Sequence, residues 1–338
     1  MFDIKLLVKK LVGKKNIQRF RTMFIYPMKL KQNYLMDYHL YKKHSTIFTR
    51  NTFSKLECEI TLRYHSIEKG FVHSPIRSGF GKQRVIELIE LLKNGTIMEH
   101  FGSVQVQAAI NILCKYFEMH QTNGFDISDY YPEADYQFFK TMLISDFGTK
   151  KEHSKESFFL FSNADFKSFS TSRCSVRSFS GEKISKEIIR EVITLANNAP
   201  SVCNRQPAFV YLIENKILID TILSIQGGLK SHTETLNQLI VLTCNRNYFY
   251  SIGERNQLYI DGGIYLMNLL YALHYYQIAA CPCHWGMPVK ADKQIRTLLS
   301  LKESEQVISL IAIGIPTETF ATTLSPRRNY NENLNVID

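Results

Sequence analysis

The chain has 338 residues, 45% apolar and 21% charged, which is material for two average domains with real cores and excludes disordered and collagen-like classes. Seven cysteines, an odd number thinly spread, do not make a secreted disulfide scaffold and point to free thiols in a reducing, cytoplasmic setting. The net charge is +10, but residues 1–43 hold 11 Lys+Arg against Asp3 and Asp37, so the body is almost neutral and lacks the basic face of a nucleic-acid-binding domain.

No run of 18 apolar residues exists, so no membrane-spanning helix is expected, and the N-terminus lacks the apolar core and small-residue cleavage site of a signal peptide. In the basic head, Ile4, Leu7, Val8 and Leu11 share one helical face, with Lys5, Lys9, Lys10 and Lys14 mostly elsewhere. That pattern fits a helix on an anionic membrane or one packed on its own domain with solvated lysines. Residues 50–160 read as mainly helical, with apolar three- and four-residue steps over 84–92 and 104–119. The polar stretch 150–156 reads as a joint. After about residue 165, helices alternate with short β-rich runs. Ser185 is an N-cap candidate, Ile184 and Ile189 are spaced as a hydrophobic staple, and Pro200 forces the helix to end by Asn198–Ala199. Residues 209–213, 239–243 and 307–313 are near-continuous apolar runs, predicting strands covered on both faces. Residues 263–277 predict a helix apolar nearly all round, hence central and buried.

Four clusters in the second half carry chemistry. Arg173-Cys174-Ser175-Val176-Arg177 offers two guanidinium forks and a hydroxyl, the donors a phosphate needs, although a solvated basic loop has the same composition. Pro200-Ser201-Val202-Cys203-Asn204-Arg205-Gln206-Pro207 is a proline-bracketed loop whose amides suit the polar edge of a flat heterocycle. Cys281-Pro282-Cys283-His284-Trp285-Gly286 suggests a metal site at first sight, but no second ligand pair stands at a usual spacing. Ile313-Gly314-Ile315-Pro316 and then Arg327-Arg328 form a strand end, a turn and a second arginine pair.

In this order, over roughly residues 168–330, the clusters resemble the nitroreductase family of FMN-dependent flavoenzymes. The resemblance implies an α+β fold, a central and mainly antiparallel sheet flanked by helices, preceded by a mainly helical N-terminal region. It divides the chain into an extension over 1–165, with its basic head at 1–43, and an FMN-binding domain over 166–338. Arg173, Ser175 and Arg177 match the positions that hold the FMN phosphate and ribityl chain, and Cys174 the neighbour whose backbone lines that slot. Pro200, Ser201 and Asn204 match the loop beside the isoalloxazine ring. Pro282, Cys283, His284, Trp285 and Gly286 match the segment whose amides approach flavin N5 and O4. Arg328, and less closely Arg327, match the basic residue that closes over the phosphate. Family members are typically homodimers with two FMN sites at the interface. No separate catalytic side chain and no metal are implied, because the flavin does the chemistry.

The implied activity is FMN-dependent hydride transfer from NAD(P)H to a small-molecule acceptor, by a cytoplasmic flavoprotein. Two other readings share these residues: an FMN-dependent tailoring enzyme that does not use NAD(P)H, and a flavin-binding interaction module docked through its basic head, at the inner face of the membrane. Residues 61–70 are similar to an extension found on nitroreductase-like proteins of unassigned activity, some linked to surface-polysaccharide synthesis. There His65, Glu68 and Lys69 share a helical face, which either reaches the substrate cleft or docks the helix.

Overall fold

The computed structural model describes residues 14–229 and 233–337. The apolar stripe expected at Ile4, Leu7, Val8 and Leu11 lies outside the described residues. Helix α1 (Lys14–Phe20) passes through a π-helical turn (Arg21–Ile25) into α2 (Tyr26–His44). No side chain from Arg21 to His44 is buried. Asp37 ties this helix to the body, its two carboxylate oxygens accepting from Arg255 Nε at 2.7 Å and Nη2 at 2.8 Å.

A helical layer follows: α3 (Phe53–Val72), α4 (Lys82–Leu92), α5 (Gly95–Met98), α6 (Val104–Thr122) and α7 (Glu133–Met142). Ile60, Tyr64, Ile67 and Phe71 of α3 meet Val85, Leu88 and Leu92 of α4 and Val106, Ile110 and Leu113 of α6 in one core. Their three- and four-residue spacing makes the stripes, and each large side chain so buried contributes about 1.5–3 kcal/mol. Ser103 caps α6, its Oγ accepting from Val106 N. Two buried amides on α6 satisfy loop backbone: Gln107 donates to the Phe101 and Met142 carbonyls, and Asn111 to that of Gly148. Gly70 lets the Phe80 ring lie against α3, where a Cβ would stand 2.1 Å from Phe80 Cε2.

The expected joint is structured. Lys151–Ser154 forms β1, which pairs antiparallel with β6 (Thr319–Thr322). Main-chain pairing is nearly blind to side-chain polarity, so the charges of this stretch concealed it. Helices α8 (Lys155–Phe159), α9 (Phe166–Ser172) and α10 (Lys186–Ala196) lead into β2 (Ala208–Ile213), α11 (Lys216–Gln226), β3 (Gln238–Asn245), α12 (Gln257–Tyr275), β4 (Ala279–His284), α13 (Val289–Leu298) and β5 (Glu305–Gly314). The main sheet has the order β2-β3-β5-β4 and is antiparallel throughout. The three strands expected from apolar runs are β2, β3 and β5. Every residue of β3 is buried, and its alternate side chains serve two cores: Leu239 and Val241 on one face, Ile240 and Leu242 on the other. Ser185 caps α10 as expected, accepting from Ile188 N at 3.3 Å. Strand β4 was not expected, because Pro282 interrupts it; it is tolerated because β4 is an edge strand.

Helix α12 departs from expectation. Leu269, Leu270 and Leu273 are buried, but Tyr259, Ile260 and Ile264 are exposed. One side of the helix, including Leu258 and Tyr265, packs into the core, and Tyr259, Ile260 and Ile264 leave an apolar face open near its start.

Three polar contacts join the helical layer to the C-terminal turn. Glu68 Oε1 accepts from Ser325 N at 3.2 Å, Gln105 Nε2 donates to the Pro326 carbonyl at 3.3 Å, and Arg328 pairs with Glu57. Both carboxylates are buried, Glu57 at 3% and Glu68 at 2% exposure.

Candidate functional site

Residues 173–177 run extended between α9 and the sheet. Val176 points into the core and its N–H donates to the Ala280 carbonyl at 3.0 Å. Alternation then turns Arg173, Ser175 and Arg177 to the opposite side, beside β4. They open into a cavity of about 720 Å³ together with Cys174 and residues 281–284. Its remaining walls come from α3 (Leu62, His65 and Lys69), from Lys151, from residues 226–229 at the end of α11, and from residues 323–325 with Arg327. Among the described residues, no carboxylate lines the cavity.

Charge and burial are poorly matched inside it. Arg173 Nε and Nη1 and Arg177 Nη1 are buried and have no hydrogen-bond partner among the described residues. Leaving such donors unmade is costly, about 1–3 kcal/mol each and more for charged groups, so the cavity is suited to an oxyanion. Burial pulls the Arg173 guanidinium below its usual pKa. Burial and then the nearby Arg177 guanidinium do the same to the Lys69 ammonium. The neighbouring Cys283 thiol, then Arg177, Lys69 and Arg173, hold the Cys281 thiol down to about 7 despite burial, while Cys283 is pushed up.

Of the other residues singled out in the sequence, some lie elsewhere. Arg327 lines the cavity and donates to the Ser325 carbonyl at 2.8 Å, whereas Arg328 is turned away onto Glu57. Trp285 is in the core, its Nε1 donating to Asp292 at 3.1 Å, and Gly286 is exposed; neither lines the cavity. Pro200 and Ser201 line a separate cavity of about 180 Å³ beside Asp261 and Tyr265. Asn204 follows in the same loop, where Cys203, Asn204 and Gln206 have φ of 50°, 54° and 51°. Such left-handed residues cost about 1–3 kcal/mol each unless over-determined by their surroundings. Here Ser201 Oγ accepts from Gln206 N at 2.9 Å, and the Arg205–Glu254 pair at 2.9 Å pins the loop.

Lys151 and residues 226–229 carried no site signal in the sequence. Gly227 marks the end of α11 with φ 82°, which predicts a turn but not what the turn faces. His65 and Lys69 had one signal, the helical face shared with Glu68, and only the docking of α3 shows that they reach the cavity.

Residues 171–315 match the family model described as Nitroreductase family. These residues are a nitroreductase-family domain. No curated protein matches the chain. Among solved structures, a nitroreductase-like protein from Streptococcus mutans is similar over 52% of this chain and 98% of its own, at 20% identity and a TM-score of 0.45. An FMN-dependent nitroreductase from Clostridium difficile covers 49% and 92%, at 17% identity and 0.40. A protein from Exiguobacterium sibiricum, solved in complex with FMN, covers 52% and 98%, at 18% identity and 0.45. The helical layer α3–α7 lies wholly outside the nitroreductase match, yet α3 supplies one wall of the nitroreductase domain's cavity.

Behind Arg173, Ser172 Oγ meets His274 Nε2 at 2.8 Å within an aromatic cluster of Phe158, Phe159 and Phe169. Burial and the Arg173 charge hold the His274 pKa down to about 4, from 6.5. A histidine depressed in the folded state contributes stability that is complete above its unfolded pKa and lost as pH falls. The loss therefore falls between pH 6.5 and about 4. It amounts to up to about 3 kcal/mol. Thermal melts across that window are expected to show a falling Tm in the native chain and a shallower fall in His274→Gln. Parallel slopes would refute the assignment.

Proposed function

We propose that the protein is an FMN-dependent oxidoreductase, with a helical region over 1–165 and an FMN-binding domain over 166–338. The observation that carries this is the set of buried, unpartnered guanidinium N–H groups in a cavity without carboxylates. A phosphate monoester supplies the missing acceptors: Arg173 and Arg177 offer planar forks, Ser175 a short hydroxyl and Arg327 a further cation at the rim. The sequence has no G-x-G-x-x-G stretch to cradle a dinucleotide pyrophosphate, which favours FMN over FAD. When bound, FMN would supply hydride transfer between a nicotinamide donor, NAD(P)H, and a small acceptor. The protein's part is to fix the phosphate, exclude water and present the β4 backbone at the cavity floor.

Flavin released by heat from the purified protein is expected to be FMN, and NADPH or NADH to bleach the bound flavin. Arg173→Ala and Arg177→Ala are each expected to weaken FMN binding by about 10- to 150-fold, the loss of one charge-assisted contact of roughly 1.5–3 kcal/mol. FAD as the sole flavin, or unchanged affinity in both variants, would end this reading.

We also propose a homodimer. Tyr259, Ile260 and Ile264 on α12, with Phe209, Tyr248 and Tyr250, expose an apolar surface of the kind that marks a protein interface. The amide loop around Asn204 lines no wall of the subunit's own cation-lined cavity, which suits a site shared between two copies. Light scattering is expected to give twice the 39.2 kDa chain mass, and Ile260→Asp with Ile264→Asp to give that mass alone. A monomeric native protein would dismiss the idea.

Finally, we propose that residues 1–43 make peripheral contact with anionic membrane. Helices α1 and α2 and the π-helical turn between them present Phe20, Met23, Phe24, Met28 and Met36 to solvent beside their lysines and arginines. No helix of the described residues is long and apolar enough to cross a membrane. Each basic residue near such a surface contributes about 1 kcal/mol, screened by salt. Co-sedimentation with anionic vesicles is expected at low salt and not at high salt, and to be lost without residues 1–43. Equal binding to neutral vesicles, or none, would contradict it.

A further inference from the structure

The cavity holds more positive charge than one phosphate balances. Lys69, Lys151, Arg173, Arg177 and Arg327 line it without a carboxylate. With the flavin phosphate on Arg173, Arg177 and Arg327, Lys69 is a surplus cation on the α3 wall. It has no hydrogen-bonded or ion-paired acceptor among the described residues.

Glu68, next to Lys69 on α3, is hydrogen-bonded to other groups. Its Oε1 accepts from Ser325 N at 3.2 Å and its Oε2 lies 3.0 Å from His65 Nδ1. That fixes the His65 ring and leaves Nε2 as its other polar atom. Leu62, His65 and Lys69, at helical steps of three and four, form a stripe of α3 along the cavity wall. The stripe combines an apolar contact, an imidazole and an ammonium beside a guanidinium, which is the donor set of a small organic anion.

We propose that α3, from outside the nitroreductase match, builds a second anion subsite in this cavity, in which Lys69, with His65 beside it, holds a carboxylate or phosphate group of the second substrate. The acceptor is therefore a small anionic compound rather than a neutral one. The inference rests on the FMN reading in one respect: the flavin phosphate is held by Arg173 and Arg177.

The test uses the FMN-loaded full chain, titrated with benzoate, phenyl phosphate and the neutral benzamide, with perturbation of the flavin absorbance and calorimetry as readouts. One of the two anions is expected to bind saturably and at least tenfold more tightly than benzamide. The tighter of them identifies the group. Lys69→Met is expected to weaken that anion roughly 10- to 100-fold while leaving FMN affinity within twofold, and Lys69→Arg to retain both. Lys69→Gln serves if the Met variant is insoluble. Equal binding of anions and benzamide, or an anion affinity indifferent to Lys69, would overturn the proposal. So would a loss of FMN affinity in Lys69→Met, which would assign Lys69 to the flavin instead. If the native chain binds no FMN, the cofactor reading has failed, and calorimetry on the flavin-free chain still reads whether Lys69 governs anion binding.

Discussion

Two buried carboxylates on one helix organise this protein. Glu57 and Glu68 of α3 reach out of the helical layer and grip the turn at 325–328, one through the Arg328 side chain and the other through the Ser325 backbone. An ionised carboxylate is costly to bury without a partner, so each of these contacts matters to the docking. Glu68 uses both oxygens, and Ser325 is held at φ 44°, which a serine rarely adopts unaided. The result is a seam between α3, outside the nitroreductase family match, and the turn that follows the matched residues 171–315.

The seam has an electrostatic consequence. Glu57 pairs with Arg328, Glu68 is bonded to Ser325 and His65, and neither lines the neighbouring cavity. Docking thus keeps both carboxylates off the cavity wall, where Lys69 has no hydrogen-bonded acid partner among the described residues. The same helix that stabilises the assembly therefore sets the polarity of its ligand site.

Strain and exposure point to the same surfaces. The amide loop keeps three non-glycine residues in the left-handed region through an ion pair and a serine hydroxyl, while α12 leaves Tyr259, Ile260 and Ile264 uncovered. Both suit a site and an interface shared between copies.

Much of the second half was legible in the residues. Unbroken apolar runs can be stable only inside a two-faced sheet, so 209–213, 239–243 and 307–313 announced β2, β3 and β5; Ser185 and Pro200 announced both ends of α10. The Arg-x-Ser-x-Arg spacing, extended and of period two, already put its donors on one side. Tertiary structure decided the rest. Strands β1, β4 and β6 draw stability from main-chain pairing with distant partners, which polar residues and Pro282 do not advertise. The choice between Arg327 and Arg328 depended on Glu57, some 270 residues away in sequence. Whether His65 and Lys69 docked a helix or faced a cavity likewise lay beyond local pattern. Helical periodicity fixes which residues share a face, and only packing fixes what that face meets.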